Sequence, residues 1–128
     1  MTRLLIDTNR YTDLIRGEPE TLRLASEADQ LFLAFISLAD LHAGFRIGSK
    51  RADNEKRLKQ FLTRPGVGVL YPDEQTVNIY ADMKAQLRRQ GTPIPDHDIW
   101  IAALALQYQL TLCTRDRHFD HLPQVAKI

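Results

Sequence analysis

The stretch LLIDTNRYTDLIRG, residues 4–17, carries the signals from which the fold can be predicted. It begins with the apolar run 4–6, which is typical of a short buried strand, and Asp7 follows at the end of that run. Thr8 or Asn9 can then cap a helix, and the glycine at the end of the stretch can stop it. A strand that leads directly into a helix is the repeating unit of an α/β fold.

The rest of the chain repeats this alternation. The continuous apolar run LFLAFI, residues 31–36, is typical of a parallel strand that is covered on both faces. Further strands are predicted at 67–71, at 110–114 and around Val125 and Ala126. Helices are predicted at 19–28, from Ser37 onward, at 53–62, from Pro72-Asp73 to Gly91, and after the loop TPIPDHD. In this last helix the predicted apolar face is Ile99, Ala102, Ala103 and Leu106. The pattern predicts one doubly wound α/β domain over residues 1–128, whose mostly parallel sheet of four or five strands is flanked by helices.

Composition indicates an ordinary globular protein of 128 residues, 44% hydrophobic and 26% charged. No apolar run approaches the ~20 residues of a membrane span, and the N-terminus lacks a signal peptide pattern. The single cysteine, Cys113, fits a reducing cytoplasm and is interpreted as a core residue. The net charge of +1 does not favour nucleic acid binding. Basic residues cluster within 50–59 and at Arg88 and Arg89, where RNA contact and a solvated surface are equally compatible with the sequence.

Four aspartates follow a predicted strand or begin a predicted helix: Asp7, Asp40, Asp98 and Asp116. In a parallel α/β fold the strand ends collect along one edge of the sheet, where ligands bind. Carboxylates gathered there repel one another unless a cation lies between them, and Mg²⁺ and Mn²⁺ prefer such oxygen ligands. The pattern therefore predicts metal-assisted hydrolysis of a phosphodiester.

Each acid also has a purely structural interpretation. Asp7 can cap the following helix, although Asn9 offers that cap equally well. Ser37 and Asp40 resemble a capping box. Asp96 is a candidate cap for the helix that follows Pro95, whereas Asp98 projects from the first turn and is interpreted as a ligand.

The last strand end raises the same question. Asp116 fits either a turn or the site, and Thr114 either holds a metal-bound water or ends a strand. His118 and His121 are three residues apart without a third ligand nearby in sequence, so zinc is not predicted. The motifs of nucleotide triphosphate, dinucleotide and serine hydrolase sites are absent.

The stretches LLIDTNRYTDLIRG and ISLADLHAGF, the latter at residues 36–45, resemble the first two motifs of the PIN-domain family, and within it of the VapC toxins of bacterial toxin–antitoxin pairs. Asp7 takes the place of the leading acid, and Asn9 that of its polar companion. Asp40 stands where the family usually has Glu. Because Asp is one methylene shorter, its carboxylate moves by ~1.5 Å, which puts the binding of a second metal in question.

The stretches IPDHDIWIAALAL, residues 94–106, and LTLCTRDRHF, residues 110–119, resemble the third and fourth motifs. They place Asp98 on the main acid and Asp96 on a frequent extra one. Thr114 and Asp116 take the positions of the fourth motif. The resemblance spans nearly the whole chain, with the motifs in the family's order.

The resemblance implies a Mg²⁺- or Mn²⁺-dependent endoribonuclease. Asp7 and Asp98 would be central ligands, Asp116 a direct or water-mediated one, and Asp40 would orient water or a second ion. It also implies structured RNA as the substrate, often tRNA, a homodimer, and a small antitoxin that blocks the acidic pocket.

Three alternatives stay open at this stage. A receiver-like phosphorylation domain also has acids at strand ends, but Asp7 stands alone where such a domain needs an acidic pair, and Asp73 follows Pro72 at a helix start. A non-catalytic PIN-like module would bind RNA without cleaving it. In that alternative, the replacement of the usual Glu by Asp40 has disabled catalysis. Cleavage of DNA is a question of substrate, since carboxylates alone cannot read a 2′-hydroxyl.

Overall fold

The computed structural model describes all residues, 1–128. The chain folds into four strands, six α-helices and one short 3₁₀ helix. In chain order they are β1 Arg3–Ile6, α1 Thr8–Ile15, α2 Pro19–Glu27, β2 Gln30–Ala34, α3 Phe35–Ile47, α4 Arg51–Leu62, β3 Val67–Leu70, α5 Glu74–Gln90, α6 Asp96–Gln107, β4 Thr111–Cys113 and the 3₁₀ helix Arg117–His121.

The four strands form one sheet in the order β3-β2-β1-β4, and every pair is parallel. In the register, Leu5 lies opposite both Phe32 and Leu112. The predicted doubly wound α/β fold is confirmed. The predicted fifth strand is reduced to an isolated parallel bridge between Leu112 and Lys127. The strand order reverses between β1 and β4, and this is where doubly wound sheets bind ligands.

Two hydrophobic clusters cover the two faces of the sheet. The first joins the sheet to α5, α6 and the C-terminal segment, and it contains Leu5, Met83, Leu104, Leu112 and Phe119. The second joins the opposite face to the helices α1 to α4, and it contains Leu4, Ile6, Leu33, Leu58, Phe61 and Cys113. Neighbouring residues of β1 point to opposite faces, as the strand period of two requires. Cys113 is a buried, free thiol in the core, as predicted.

Helix α6 is buried on more sides than one apolar stripe predicts. Six of its twelve residues are buried: Ile99, Ile101, Ala102, Ala103, Leu104 and Ala105. Leu106, which the spacing assigned to the buried face, is 37% exposed. The alanines allow α6 to pack closely between the sheet and its neighbour α5, so the burial pattern follows the packing and departs from the simple helical period. The first turn of α6, which carries Asp98, is thereby held in a fixed place.

The predicted boundary between β2 and α3 is wrong by two residues. The apolar run 31–36 was assigned entirely to a strand, whereas the helix begins at Phe35 with Ala34 as its N-cap. Phe35 and Ile36 pack against the first cluster, so apolar character continues across the boundary while the backbone changes. Hydrophobicity alone cannot separate a buried strand from a buried first helical turn. As a result Ser37 is fully buried inside the helix, and no capping box joins it to Asp40.

Helix α5 begins and ends as its sequence predicts. Asp73 is its N-cap, and a capping box joins Asp73 to Thr76. Gly91 ends the helix in the left-handed conformation, with φ of 70°, which favours glycine. A search for membrane-spanning helices finds none of sufficient length and apolar character.

Phe119 fastens the 3₁₀ helix to the core, and we expect this residue to control the stability of that segment. Its side chain is fully buried in the first cluster, next to the exposed His118. Phe119→Ala should lower the free energy of unfolding by about 3–5 kcal/mol, because it removes a large buried ring and leaves a cavity. Urea unfolding followed by circular dichroism measures this change.

The exposed His121 of the same 3₁₀ helix supplies the control. His121→Ala should change the free energy of unfolding by less than about 0.5 kcal/mol. Equal, small changes in the two variants would mean that the 3₁₀ helix is not anchored through Phe119.

Candidate active site

Three chain segments meet at the carboxyl edge of the sheet, at the point where the strand order reverses. Asp7 follows β1, Asp116 follows β4, and Asp98 lies in the first turn of α6. The Asp7 backbone N–H donates to the Cys113 carbonyl at 3.4 Å, so the ends of β1 and β4 are joined directly. This position agrees with the expected location of a ligand site in a doubly wound sheet.

Asp7 has two roles in the structure. Its Oδ1 accepts a hydrogen bond from the Arg10 backbone N–H at 2.8 Å, which makes Asp7 the N-cap of α1. The expectation that Thr8 or Asn9 would cap this helix is wrong, and Asn9 is exposed. Asp7 Oδ2 accepts from the Thr114 hydroxyl at 2.5 Å. Because the side chain is only 5% exposed, both oxygens are held in fixed directions.

Asp98, Asp116 and His118 form a compact group of possible metal ligands. His118 Nδ1 lies 2.7 Å from Asp98 Oδ2 and 3.1 Å from Asp116 Oδ1. One ligand atom from each residue lies within 4.8 Å of the other two. A metal ion with ligand bonds of about 2.0–2.3 Å spans such a group.

Thr114 links this group to Asp7. Its Oγ1 accepts a hydrogen bond from the Asp116 backbone N–H at 3.0 Å while its hydroxyl donates to Asp7. Asp116 in turn is the N-cap of the 3₁₀ helix, because its Oδ1 accepts from the His118 backbone N–H at 2.9 Å. A continuous hydrogen-bond chain therefore runs from Asp7 through Thr114, Asp116 and His118 to Asp98.

The negative charge of the carboxylates at the carboxyl edge of the sheet is not balanced by nearby positive charge. Burial raises the pKa of the Asp7 carboxyl; hydrogen bonds from Thr114 and the Arg10 backbone oppose this rise, and the charge of Asp116 adds to it. Burial also raises the pKa of Asp98, against the hydrogen bond from His118 and with a further contribution from Asp116. A bound cation would reverse both effects, because it stabilises the ionised carboxylates.

Arg10 lies beside Asp7 but neutralises other acids. It is 8% exposed, and its guanidinium donates to Thr21 Oγ1 at 2.9 Å and lies 3.7 Å from Glu18. Its charge lowers the pKa of Asp7 less than either hydrogen bond to that carboxyl does. Nearby, Arg115 pairs with Asp13 at 2.6 Å. The charges of both arginines are thus already shared with acids outside the candidate site.

Of the predicted site residues, Asp40 and Asp96 lie outside both the compact group and the hydrogen-bond chain that joins Asp7 and Thr114 to it, as does the exposed Asn9. Asp40 Oδ2 is 3.2 Å from His97 Nδ1, in a pair that is open to solvent. Because α3 begins earlier than predicted, Asp40 lies beyond the first turn of that helix. The charge of His97 contributes slightly to lowering the pKa of Asp98, against the larger rise that burial causes.

Asp96 is also separate from the group. Its Oδ1 accepts from Lys84 at 2.7 Å and from the Tyr80 hydroxyl at 2.9 Å. These hydrogen bonds, with that from Lys84 the stronger, lower the pKa of Asp96. The N-cap of α6 is Pro95, without a side-chain hydrogen bond, so the expectation that Asp96 caps the helix is wrong.

His118 is the residue that sequence reasoning missed. It was set aside because no third ligand lies near it in sequence, but the fold supplies Asp98 from a segment 20 residues earlier. One signal was available: His118 lies two residues after Asp116, within the turn that follows β4. A histidine that follows a strand-end aspartate by two residues is therefore a better signal here than the histidine spacing of helical zinc sites.

The donor set fits a divalent cation. Two carboxylates and an imidazole meet at Asp98, Asp116 and His118, and the buried carboxylate of Asp7 lies next to Asp116 in the hydrogen-bond chain. Such nitrogen and oxygen donors are ordinary ligands of divalent metals in proteins.

The chain is similar in sequence to known proteins along nearly its whole length. The family model described as PIN domain matches residues 4–125. The chain is 34% identical over 116 residues to Ribonuclease VapC1 of Haemophilus influenzae, a match that covers 88% of this chain and 85% of that protein. It is 27% identical over 128 residues to the tRNA(fMet)-specific endonuclease VapC of Salmonella typhimurium, covering 98% and 96% of the two proteins.

Among solved structures, VapBC-1 from nontypeable Haemophilus influenzae superposes with a TM-score of 0.88 at 26% identity, covering 99% of this chain and 97% of that chain. The sequence match, the parallel sheet order and the acids at its carboxyl edge are mutually consistent. The chain belongs to the PIN-domain family, and within it to the VapC group.

Proposed function

We propose that this protein is the toxin of a toxin–antitoxin pair, an endoribonuclease that hydrolyses RNA phosphodiester bonds with the help of Mg²⁺ or Mn²⁺. One observation carries the proposal: Asp98 and Asp116 meet where the strand order of the sheet reverses, and Thr114 links Asp7 to Asp116 there by hydrogen bonds. The printed names of the relatives, a VapC ribonuclease and a tRNA-specific endonuclease, support the same activity.

The proposed metal ligands are Asp98 and Asp116, with Asp7 as the third carboxylate. A divalent cation bound by them would supply positive charge for the phosphate and would lower the pKa of a water molecule at the site. The carboxylates alone would repel a phosphodiester, because both partners are negative. The chain therefore contributes carboxylate ligands in fixed positions, and their negative charge is not balanced by nearby cations.

The residues around these ligands fix their geometry. Thr114 holds Asp7 Oδ2 through its hydroxyl and holds the Asp116 backbone through its oxygen, so it keeps two ligands in register. Asp40 and His97 lie at the solvent-exposed side and are placed to orient water or substrate there. The basic side chains within 50–59 and at Arg88 and Arg89 are mostly exposed, and they are the candidates for contact with the RNA backbone.

We propose structured RNA, and tRNA in particular, as the substrate. The relative from Salmonella typhimurium carries tRNA(fMet) in its name, and its match covers nearly the full length of both chains. We interpret residues 1–128 as one PIN-like nuclease domain, and we propose that it acts in the cytoplasm.

We further propose a cognate antitoxin and a second copy of the chain as protein partners. VapBC assemblies are toxin–antitoxin systems, and the solved VapBC-1 structure shares the fold of this chain at a TM-score of 0.88, which supports the antitoxin partner. An antitoxin that neutralises this protein would cover or block the acidic edge, since that edge carries the proposed chemistry.

The structure favours this function over phosphorylation of a receiver-like domain. Asp73, the acid after β3, caps α5 and accepts hydrogen bonds from Thr76 and Gln107. It is therefore engaged in local structure and unsuited to complete a phosphorylation site with Asp7. A non-catalytic RNA-binding module is the second candidate, because Asp40 pairs with His97 outside the compact group. That candidate binds RNA without cleaving it.

We expect Asp98→Asn to abolish cleavage while the fold stays intact. The substitution keeps the shape of the side chain but removes a charge that the proposed metal requires. Purified protein and variant are incubated with a mixed tRNA pool in Mg²⁺, in Mn²⁺ and in EDTA, and the fragments are resolved on denaturing gels. Discrete fragments should form with metal only, and the variant should form none.

Asp120→Asn is the matched control, because Asp120 is an exposed acid in the 3₁₀ helix next to the site. It should cleave like the unmodified protein. Cleavage that persists in Asp98→Asn, or in EDTA, would overturn the assignment of the site. Binding of tRNA without cleavage by the unmodified protein would instead support the non-catalytic alternative.

Thr114→Val should reduce cleavage about 10–100-fold, as is typical when a group that orients a metal ligand is lost. Valine has nearly the shape of threonine but can neither donate to Asp7 nor accept from the Asp116 backbone. Thr114→Ser retains the hydroxyl and should recover most of the activity. If valine and serine variants cleave equally well, the hydroxyl has no part in positioning the ligands.

Asp40→Glu should increase cleavage. The added methylene extends the carboxylate by ~1.5 Å and lets it reach beyond its pair with His97. Initial rates on the same RNA measure the change, and Asp40→Asn, which should not exceed the unmodified protein, separates the effect of length from that of charge. A rate for Asp40→Glu equal to or below that of the unmodified protein would show that the aspartate is already at a suitable distance.

A further inference from the structure

His118 is bound more closely to the acidic edge than its exposure suggests. Its side chain is 46% exposed, yet Nδ1 lies 2.7 Å from Asp98 and 3.1 Å from Asp116. Its own backbone N–H donates to Asp116 Oδ1 at 2.9 Å, which fixes the position of the residue on the turn. The ring is therefore directed at two carboxylates from two different segments of the chain.

The chemistry of the contact identifies which ring nitrogen takes part. Ionised carboxylates only accept hydrogen bonds, so the hydrogen bond to Asp98 Oδ2 requires the proton on Nδ1, while Asp116 Oδ1 lies within 3.1 Å of the same nitrogen. A metal ion bound to the same oxygens would take the place of that proton, which moves to Nε2, or to solvent where Nε2 already carries one, and the neutral ring is then free to bind the metal through Nδ1. The geometry already groups Nδ1 with the two oxygen atoms within 4.8 Å.

The other three histidines lack this arrangement, and the buried Nδ1 of His42 has no hydrogen-bond partner. His97 approaches one carboxylate, that of Asp40, at 3.2 Å. His121 is exposed, and its backbone carbonyl accepts from Gln90. Only His118 places a ring nitrogen between two of the acids proposed as metal ligands.

We propose that His118 Nδ1 is a ligand of the metal ion, beside Asp98 and Asp116, and that it shifts the preference of the site from Mg²⁺ toward transition-metal ions. The inference rests on the metal dependence in the proposed function and adds a nitrogen donor to it. Mg²⁺ binds oxygen ligands and waters, whereas affinity for a site with an imidazole rises along the series Mn²⁺, Fe²⁺, Co²⁺.

The proposal predicts a loss of affinity that depends on the metal. Dissociation constants for Mg²⁺, Mn²⁺ and Co²⁺ are measured by isothermal titration calorimetry on the full chain without RNA. His118→Ala should weaken Co²⁺ binding by at least about tenfold, Mn²⁺ binding by less, and Mg²⁺ binding by less than about threefold. His121→Ala, on the same 3₁₀ helix, should leave all three constants unchanged.

A second measurement detects the nitrogen directly. Electron spin echo envelope modulation of bound Mn²⁺ should show coupling to ¹⁴N of an imidazole in the unmodified protein and in His121→Ala. The coupling should vanish in His118→Ala, and circular dichroism of that variant checks that its fold is retained. His118→Gln, which keeps a polar side chain without a ring nitrogen, should also lack the coupling.

The outcomes separate this inference from the proposed function. Equal losses for all three metals, or no ¹⁴N coupling with Mn²⁺ bound, would overturn the role of His118 as a ligand while the metal-dependent nuclease stands. Tighter binding in His118→Ala would also overturn it, because the ring would then act as a cation that competes with the metal. Failure of the unmodified protein to bind any of the three ions would contradict the metal dependence itself.

Discussion

The hydrogen bond from the Thr114 hydroxyl to Asp7 Oδ2 joins the two strand ends on which the site depends. β1 and β4 are distant in sequence but adjacent in the sheet, and the strand order reverses between them. The other oxygen of Asp7 caps α1, so a single buried carboxylate begins a helix and also holds the opposite loop. A change at Asp7 therefore acts on local structure, on the approach of the two loops and on the charge of the site together.

The fold could be predicted from sequence because its strands are covered on both faces. Continuous apolar runs such as LFLAFI indicate buried parallel strands, and the helices between them supply the covering layers. The same apolar signal could not locate the start of α3 at Phe35, because the first turn of α3 is as apolar as the strand before it. The fifth strand failed for a different reason, because a single bridge at Lys127 adds too few paired residues to form a regular strand.

Site residues could be predicted where the sheet alone brings them together, and were missed where contacts between distant segments decide their partners. Position at a strand end was enough to select Asp7 and Asp116, because the sheet itself brings the ends of β1 and β4 together. The position of Asp96 at the start of α6 was insufficient to assign its role, because its partner Lys84 comes from another helix. His118 was missed because its relation to Asp98 depends on how the 3₁₀ helix packs against α6. Phe119, the next residue, is fully buried in the first cluster and packs the 3₁₀ helix onto that core.

The unbalanced negative charge of the site explains why it favours the binding of a cation. Burial raises the pKa of Asp7 and of Asp98, so in the ionised form each carboxylate is destabilised by its surroundings. Arg10 shares its charge with other acids, and His118 offers at most one proton to two oxygens. An ion that binds the folded chain alone must then also stabilise it, by mass action. The unbalanced charge that opposes folding would therefore favour the binding of a cation, and burial of the apolar core, of which Phe119 is a part, offsets its cost in the chain without a cation.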